Sequence, residues 1–291
     1  MRNVWLGALM GGLLSTLLVG AVQGQELQFK DPRGDDKGPG VYSYPTDGVY
    51  APGSFDLTGF SIKDKGKDVE FKITLAARIE DPWDSKAWGG NGFSVQFVQI
   101  YIDLDHKEGS GELKALPGIN VAFAPTEAWD KVVLLSPQGA TRLQTEIDTK
   151  AGKIKDKMVI PTVVRATGNS LTAVVPKSAL GDLKPGYGFQ VVMQSNEGYP
   201  AATDLLTRKV NEYNGEHRFG GGSDYDCDPH VIDMLMAPGK GEKSEQDAQF
   251  EALKKFTCAD DESKWSLATV PLIYTPAATP AEAPAATPAT K

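Results

Sequence analysis

Carboxylates crowd three glycine-rich stretches of this chain. Crowded carboxylates need either a cation or open solvent around them. In DPRGDDKGPGVYSYP, residues 31–45, Asp31, Asp35 and Asp36 stand among glycines and prolines that leave backbone carbonyls free. A hard cation takes roughly six to eight oxygens, and adjacent carboxylates repel one another unless a cation or hydrogen-bond donors fill the gap. The stretch reads as a calcium loop without EF-hand spacing, or as a solvated acidic loop. In DLDHKEGSGE, residues 103–112, Asp103, Asp105, Glu108 and Glu112 surround Gly109 and Gly111. Its D-x-D opening suits half an EF-hand, but Lys107 stands where that motif wants an oxygen donor, which leaves a strand-end calcium site or a charged hairpin turn. In EHRFGGGSDYDCDPHVID, residues 216–233, Asp224, Asp226 and Asp228 follow a triple glycine. No Gly-Lys-Ser/Thr ending follows, and the acids would repel phosphate, so a cation or sugar hydroxyls fit better than a nucleotide. The expected metal ligands are Asp31, Asp35, Asp36, Asp103, Asp105 and Asp224, with Ca2+ as the expected ion.

Sugar recognition requires a flat aromatic platform beside polar groups that satisfy hydroxyls. Trp83 and Trp88 lie in a Gly/Asn/Asp-containing loop, residues 81–92, and Trp129 stands beside Asp130. These are the candidate carbohydrate-binding residues; the competing reading packs them over a sheet edge. Met193 with His217 or His230 offers a pair of haem ligands, but a Met in an apolar strand is ordinarily core, so haem is the weaker cofactor reading. Only His106, His217 and His230 are available as catalytic histidines, and no serine sits in a G-x-S-x-G turn. The carboxylate pair of a glycosidase cannot be picked out by spacing. The chain is expected to be non-catalytic.

Strands must position these loops. Val69, Phe71, Ile73, Leu75, Ala77 and Ile79 alternate with Glu70, Lys72, Thr74, Ala76 and Arg78, the period of a half-buried strand. Residues 93–104 (FSVQFVQIYIDL) are apolar on both faces, as in a central strand covered on each side. Shorter candidates are 119–124, 132–135, 159–165, 171–175 and 189–194, with turns at 64–67, 151–152, 168–169 and 184–188. Many short strands and little helix predict an all-β fold, a two-sheet antiparallel β-sandwich. One short C-terminal helix is expected over 246–256, with Phe250, Leu253 and Phe256 on its apolar face.

The chain has 291 residues, with 30 Lys+Arg against 38 Asp+Glu and a formal charge of −8. That balance, without any basic stripe, argues against a nucleic-acid partner. Residues 1–24 carry Arg2, an apolar run from Val4 to Val19 and small residues at Gly20, Ala21 and Gly24, the pattern of a secretory signal peptide; an uncleaved anchor is the alternative. No later segment is long and apolar enough to span a membrane, so an exported protein is expected: secreted, periplasmic or on the cell surface. In an oxidising compartment Cys227 and Cys258 are expected to form a disulfide, and their number and spacing fit neither a CxxC pair nor a zinc site. Residues 25–274 read as a single domain. Residues 275–291, rich in Pro, Ala and Thr, read as an extended tail that is a tether or a frayed end.

Three stretches carry a family resemblance: DPRGDDKGPGVYSYPTDGVYAPGSFDLTGFSI, DPWDSKAWGGNGFSVQFVQIYIDLD and RFGGGSDYDCDPHVIDML. In order and spacing they are similar to the C-terminal binding module of glucodextranases and some archaeal amylopullulanases, a module related in architecture to DOMON-like and family 9 carbohydrate-binding β-sandwiches. The resemblance spans about residues 29–274. It implies a calcium-stabilised sandwich that holds extracellular polysaccharide-degrading enzymes to glycan or to the cell surface. This chain is expected to depart from that pattern by carrying no catalytic domain, and its cysteines look like additions to it. The expectation is therefore a carbohydrate- or envelope-glycan-binding module. The alternative is an envelope structural or haem-binding electron-transfer module on the same fold.

Overall fold

The alternation over residues 68–75 forms the strand it predicts, and its neighbours build a sheet around it. The computed structural model describes residues 26–224, 226–237 and 244–277. The expected signal segment, and the tail beyond residue 277, lie outside these. The strands are β1 (Glu26–Lys30), β2 (Leu57–Asp64), β3 (Asp68–Leu75), β4 (Gln96–Asp103), β5 (Val121–Ala122), β6 (Lys131–Leu135), β7 (Met158–Val159), β8 (Val163–Thr167), β9 (Ser170–Pro176), β10 (Gly188–Ser195), β11 (Asp233–Met234), β12 (Ala268–Thr269) and β13 (Ile273–Tyr274). Among the described residues three α-helices accompany them: α1 (Ala140–Lys150), α2 (Lys177–Leu180) and α3 (Glu245–Leu253).

One sheet runs β1-β2-β3-β9-β8, antiparallel throughout. The second runs β11-β10-β4-β6-β7, with β13 also on β10 and a parallel pairing at β6–β7. The sheets meet over one core, with Phe60, Phe71, Ile73 and Leu171 on one side and Val98, Ile100, Phe189 and Val191 on the other. The sandwich is as expected, and β4 is indeed the strand covered on both faces. Its alternate residues Phe97 and Tyr101 point away from the sandwich into a second core. There they meet Trp129 and Phe123, Leu143 and Ile147 of α1, and Leu253 of α3.

That outer layer corrects the helix expectation. The C-terminal helix exists, but it spans Glu245–Leu253 and buries Gln249, Ala252 and Leu253; Phe250 is half-buried. The helix α1 was not expected, because ATRLQTEIDTK offers only Leu143 and Ile147 as large apolar residues, too few to reveal a period. The run 159–165 divides into two short strands at Pro161, which cannot donate to a ladder. Near the chain's end, Thr275 is buried and its amide donates to the Tyr187 carbonyl (3.0 Å), so order reaches past Tyr274.

The disulfide between Cys227 and Cys258 forms, with the Cα atoms 5.6 Å apart. It ties the acidic glycine loop to the segment following α3. Among the described residues no helix is long and apolar enough to cross a membrane.

Candidate functional site

Strand direction sorts the acidic and aromatic loops onto the two ends of the sandwich. The start of β2 and the end of β3 share one end, which carries the 31–36 loop and the 81–92 loop. The end of β4 lies at the other, with Asp103.

The 81–92 loop is built around Asp81. Its carboxylate accepts from the Ser85 amide (2.9 Å), the Ser85 hydroxyl (2.9 Å) and the Ser94 hydroxyl (2.7 Å). Partial burial works against this charge, yet those hydrogen bonds outweigh it and hold the Asp81 carboxyl below the usual aspartate value. The loop is also sewn to the β6–α1 connection. Asn91 Nδ2 donates to the carbonyls of Ser136 (2.8 Å) and Gln138 (3.0 Å), and its amide donates to Pro137 (3.0 Å). A Cβ on Gly139 would stand 2.2 Å from the Gly89 carbonyl oxygen, so only glycine lets the two backbones touch.

Trp88 is 48% exposed, and its Nε1 donates to the Trp83 carbonyl (3.2 Å). Beside it opens a groove of about 620 Å³ lined by Gln138, Thr141, Arg142 and Thr145. Arg142 is fixed there by Glu146 (2.6 Å) and reaches the Gly198 carbonyl (3.3 Å). Trp83 is 36% exposed and braced from behind. The Arg208 guanidinium lies 5.9 Å from its ring centre, with His217 at 5.7 Å and Tyr50 at 6.3 Å. Arg208 in turn is clamped by Glu197 (3.0 and 3.3 Å). Two residues from Glu197 and next to Gly198, whose carbonyl Arg142 reaches, Tyr199 is 93% exposed; sequence reasoning passes it over because nothing marks an isolated loop tyrosine.

Trp129 is not part of this surface. It is fully buried in the outer core with its Nε1 on the Lys114 carbonyl (2.9 Å), so it cannot be a sugar platform. The neighbouring Asp130 faces the other end.

Among the described residues, three groups of side chains have ligand atoms within 4.8 Å of one another: Asp31, Asp35 and Asp233; Asp103, Asp105 and Asp130; and Asp47, Glu216 and His217. Asp31, Asp35, Asp103 and Asp105 are thus brought together in the two sets that the loops suggested. Asp233 and Asp130 complete them from distant strand ends, a convergence that loop composition does not reveal. Asp36 stands beside the first group, where its carboxylate accepts from the Tyr44 hydroxyl. Asp224 is exposed and joins none of these groups, while its neighbour Asp226 pairs with Lys209 and His230.

The first group is the most confined. Burial, reinforced by neighbouring carboxylates, pushes Asp31 up to about 9 and Asp35 up to about 7, and raises Asp233 well above the usual value. Both oxygens of Asp35, Oδ2 of Asp31 and Oδ1 of the adjoining Asp56 are buried without a hydrogen-bond partner.

Met193 is core between the sheets, while His230 accepts the Val210 amide at Nδ1 (3.1 Å) and has Asp226 at Nε2. His217 packs under Trp83.

A family model described as the C-terminal binding module, SLH-like, of glucodextranase matches residues 27–272. Comparison with curated proteins returned no match.

Proposed function

The chain belongs to the family of glucodextranase C-terminal binding modules, and from that premise we propose that it binds carbohydrate, without cleaving it, through the face that carries Trp83 and Trp88. The observation behind this reading is Trp88: a half-exposed indole on a pinned loop, beside an open groove whose walls offer guanidinium, amide and hydroxyl groups. A sugar ring presents a flat apolar face and a rim of hydroxyls, and this groove supplies a partner for each. Trp83 and Trp88 share the 81–92 loop, and the Arg142–Gly198 contact brings the segment that carries Tyr199 to the groove beside Trp88, an extent that suits several units of a polysaccharide better than a free monosaccharide. The bracing of Trp83 limits the ordering cost of binding. A family of binding modules, a disulfide and the export signal read in the sequence support placement outside the cytoplasm, on envelope glycan or on an extracellular polysaccharide.

The test is retention of the purified mature protein on immobilised polysaccharides and a glycan array. Retention on at least one glycan class, competed by its soluble oligosaccharide, is the expected result. A folded protein that ignores every glycan offered would end this reading.

A further inference from the structure

We infer that Asp47, Glu216 and His217 form a zinc site beside Trp83, independent of what the aromatic face binds. Their ligand atoms lie within 4.8 Å of one another, although Asp47 belongs to the segment before β2 and the other two to the segment between β10 and β11. The backbone sets these segments side by side. Ser43 and Gly220 pair in an antiparallel bridge; beyond it the Thr46 amide donates to the Gly215 carbonyl (2.9 Å) and the Asp47 amide to the Glu216 carbonyl (3.1 Å). The Val49 amide orients the Asp47 carboxylate by donating to its Oδ1 (2.9 Å). His217 is held by backbone and ring alike: its carbonyl accepts from Arg208 Nη1 (3.0 Å), and its imidazole packs against Trp83 and Tyr50, with centroids 5.7 and 5.9 Å away. An imidazole packed on two rings has little freedom to turn. Its Nδ1 is closed off from solvent with no hydrogen-bond partner, a costly state for a buried polar atom. Among the described residues Arg208 is committed to Glu197 (3.0 Å), and no cation pairs with Asp47 or Glu216. A bound cation would serve both the carboxylates and the ring.

The donor set chooses the ion. One imidazole nitrogen with two carboxylate oxygens suits zinc, whereas Ca2+ and Mg2+ take oxygen alone. Zinc holds such atoms at about 2.0 to 2.2 Å, which sets neighbouring ligands roughly 3.4 Å apart. Glu216, exposed and long, supplies the small adjustment and leaves a path for the ion to enter, while Asp47 and His217 are half-buried. Two carboxylates and a neutral imidazole around one Zn2+ leave no net charge. The other histidines differ. His230 has both ring nitrogens engaged, by the Val210 amide and Asp226. His106 is exposed, with Nδ1 3.7 Å from Asp103, and is the rival position that a test must exclude.

The full chain without a histidine tag, stripped with EDTA and titrated with ZnCl2 in a calorimeter, tests this. One zinc per chain is expected, and a rise in Tm of roughly 5 °C with zinc in about hundredfold excess over its dissociation constant. Glu216→Gln and His217→Phe should each weaken binding by about tenfold or more, while His106→Gln leaves it unchanged. Glu216→Gln alters one exposed side chain and should keep the parent's circular dichroism; His217→Phe keeps a ring against Trp83. CoCl2 in place of zinc reports the position, because an open-shell ion quenches a neighbouring indole: the parent should lose a fraction of its fluorescence that Trp83→Phe does not. No saturable zinc heat, full binding in both Glu216→Gln and His217→Phe, or loss of binding in His106→Gln would overturn the site. An equal fractional quench in Trp83→Phe would place the ion elsewhere, and displacement of zinc by equimolar CaCl2 would overturn the choice of ion.

Discussion

Trp88 and Trp129 share a side chain and nothing else. Trp88→Ala is expected to leave the melting curve nearly unchanged and to weaken glycan binding about tenfold or more, read by affinity electrophoresis. Trp129→Ala removes a fully buried indole from the outer core and should cost about 3 to 5 kcal/mol of stability in urea unfolding. Asp81 adds a pH dependence. Its carboxyl is held below the unfolded value, so the stabilisation is present above about pH 4 and fades as the medium is acidified through the folded value. Glycan retention should therefore decline below that pH, and Asp81→Asn should weaken retention already at neutral pH. At this scale the sequence disclosed types better than partners. Asp31 and Asp35 were legible because acids and glycines adjoin in one loop; Asp233 was not, because only the fold brings it to them. Trp129 looked like Trp83 because a neighbouring Asp resembles a polar rim until Asp130 proves to face elsewhere.

The elements obey a similar division. Strands with period 2, such as β3, or with two apolar faces, such as β4, announce themselves locally, since their burial pattern is also their sequence pattern. The strand β2 carries Gly59 at the register shift that follows Leu57, which breaks its alternation, whereas β1 alternates cleanly through Leu27 and Phe29 but is only five residues long, too short a run to stand out. The helix α1 hides for a different reason. It packs on a sheet through two residues while Glu146, buried, is neutralised by Arg142 (2.6 Å) and Lys150 (2.9 Å). Its N-terminus also forms a wall of the Trp88 groove. Gly139→Ala is expected to push the 85–92 loop off that wall, lowering both Tm and glycan affinity; Gly48→Ala, at a glycine with open space around it, should change neither.

Across the whole molecule, the second sheet contributes to two cores, so neither can melt and leave the other intact. Tryptophan fluorescence, which reports the outer core through Trp129, and far-ultraviolet circular dichroism should give coincident urea transitions. Reducing the Cys227–Cys258 bridge, which spans 31 residues, should lower stability by roughly 3 to 4 kcal/mol on the chain-entropy account. The bond from the Met236 amide to Asp31 joins residues 205 apart in the chain. A polypeptide made or exported amino end first cannot close that contact until nearly all of it has emerged. Folding is thus governed by a late, long-range event, slow by the measure of contact order, and a product cut short before Asp233 would leave Asp31 and Asp35 without the carboxylate that completes their group.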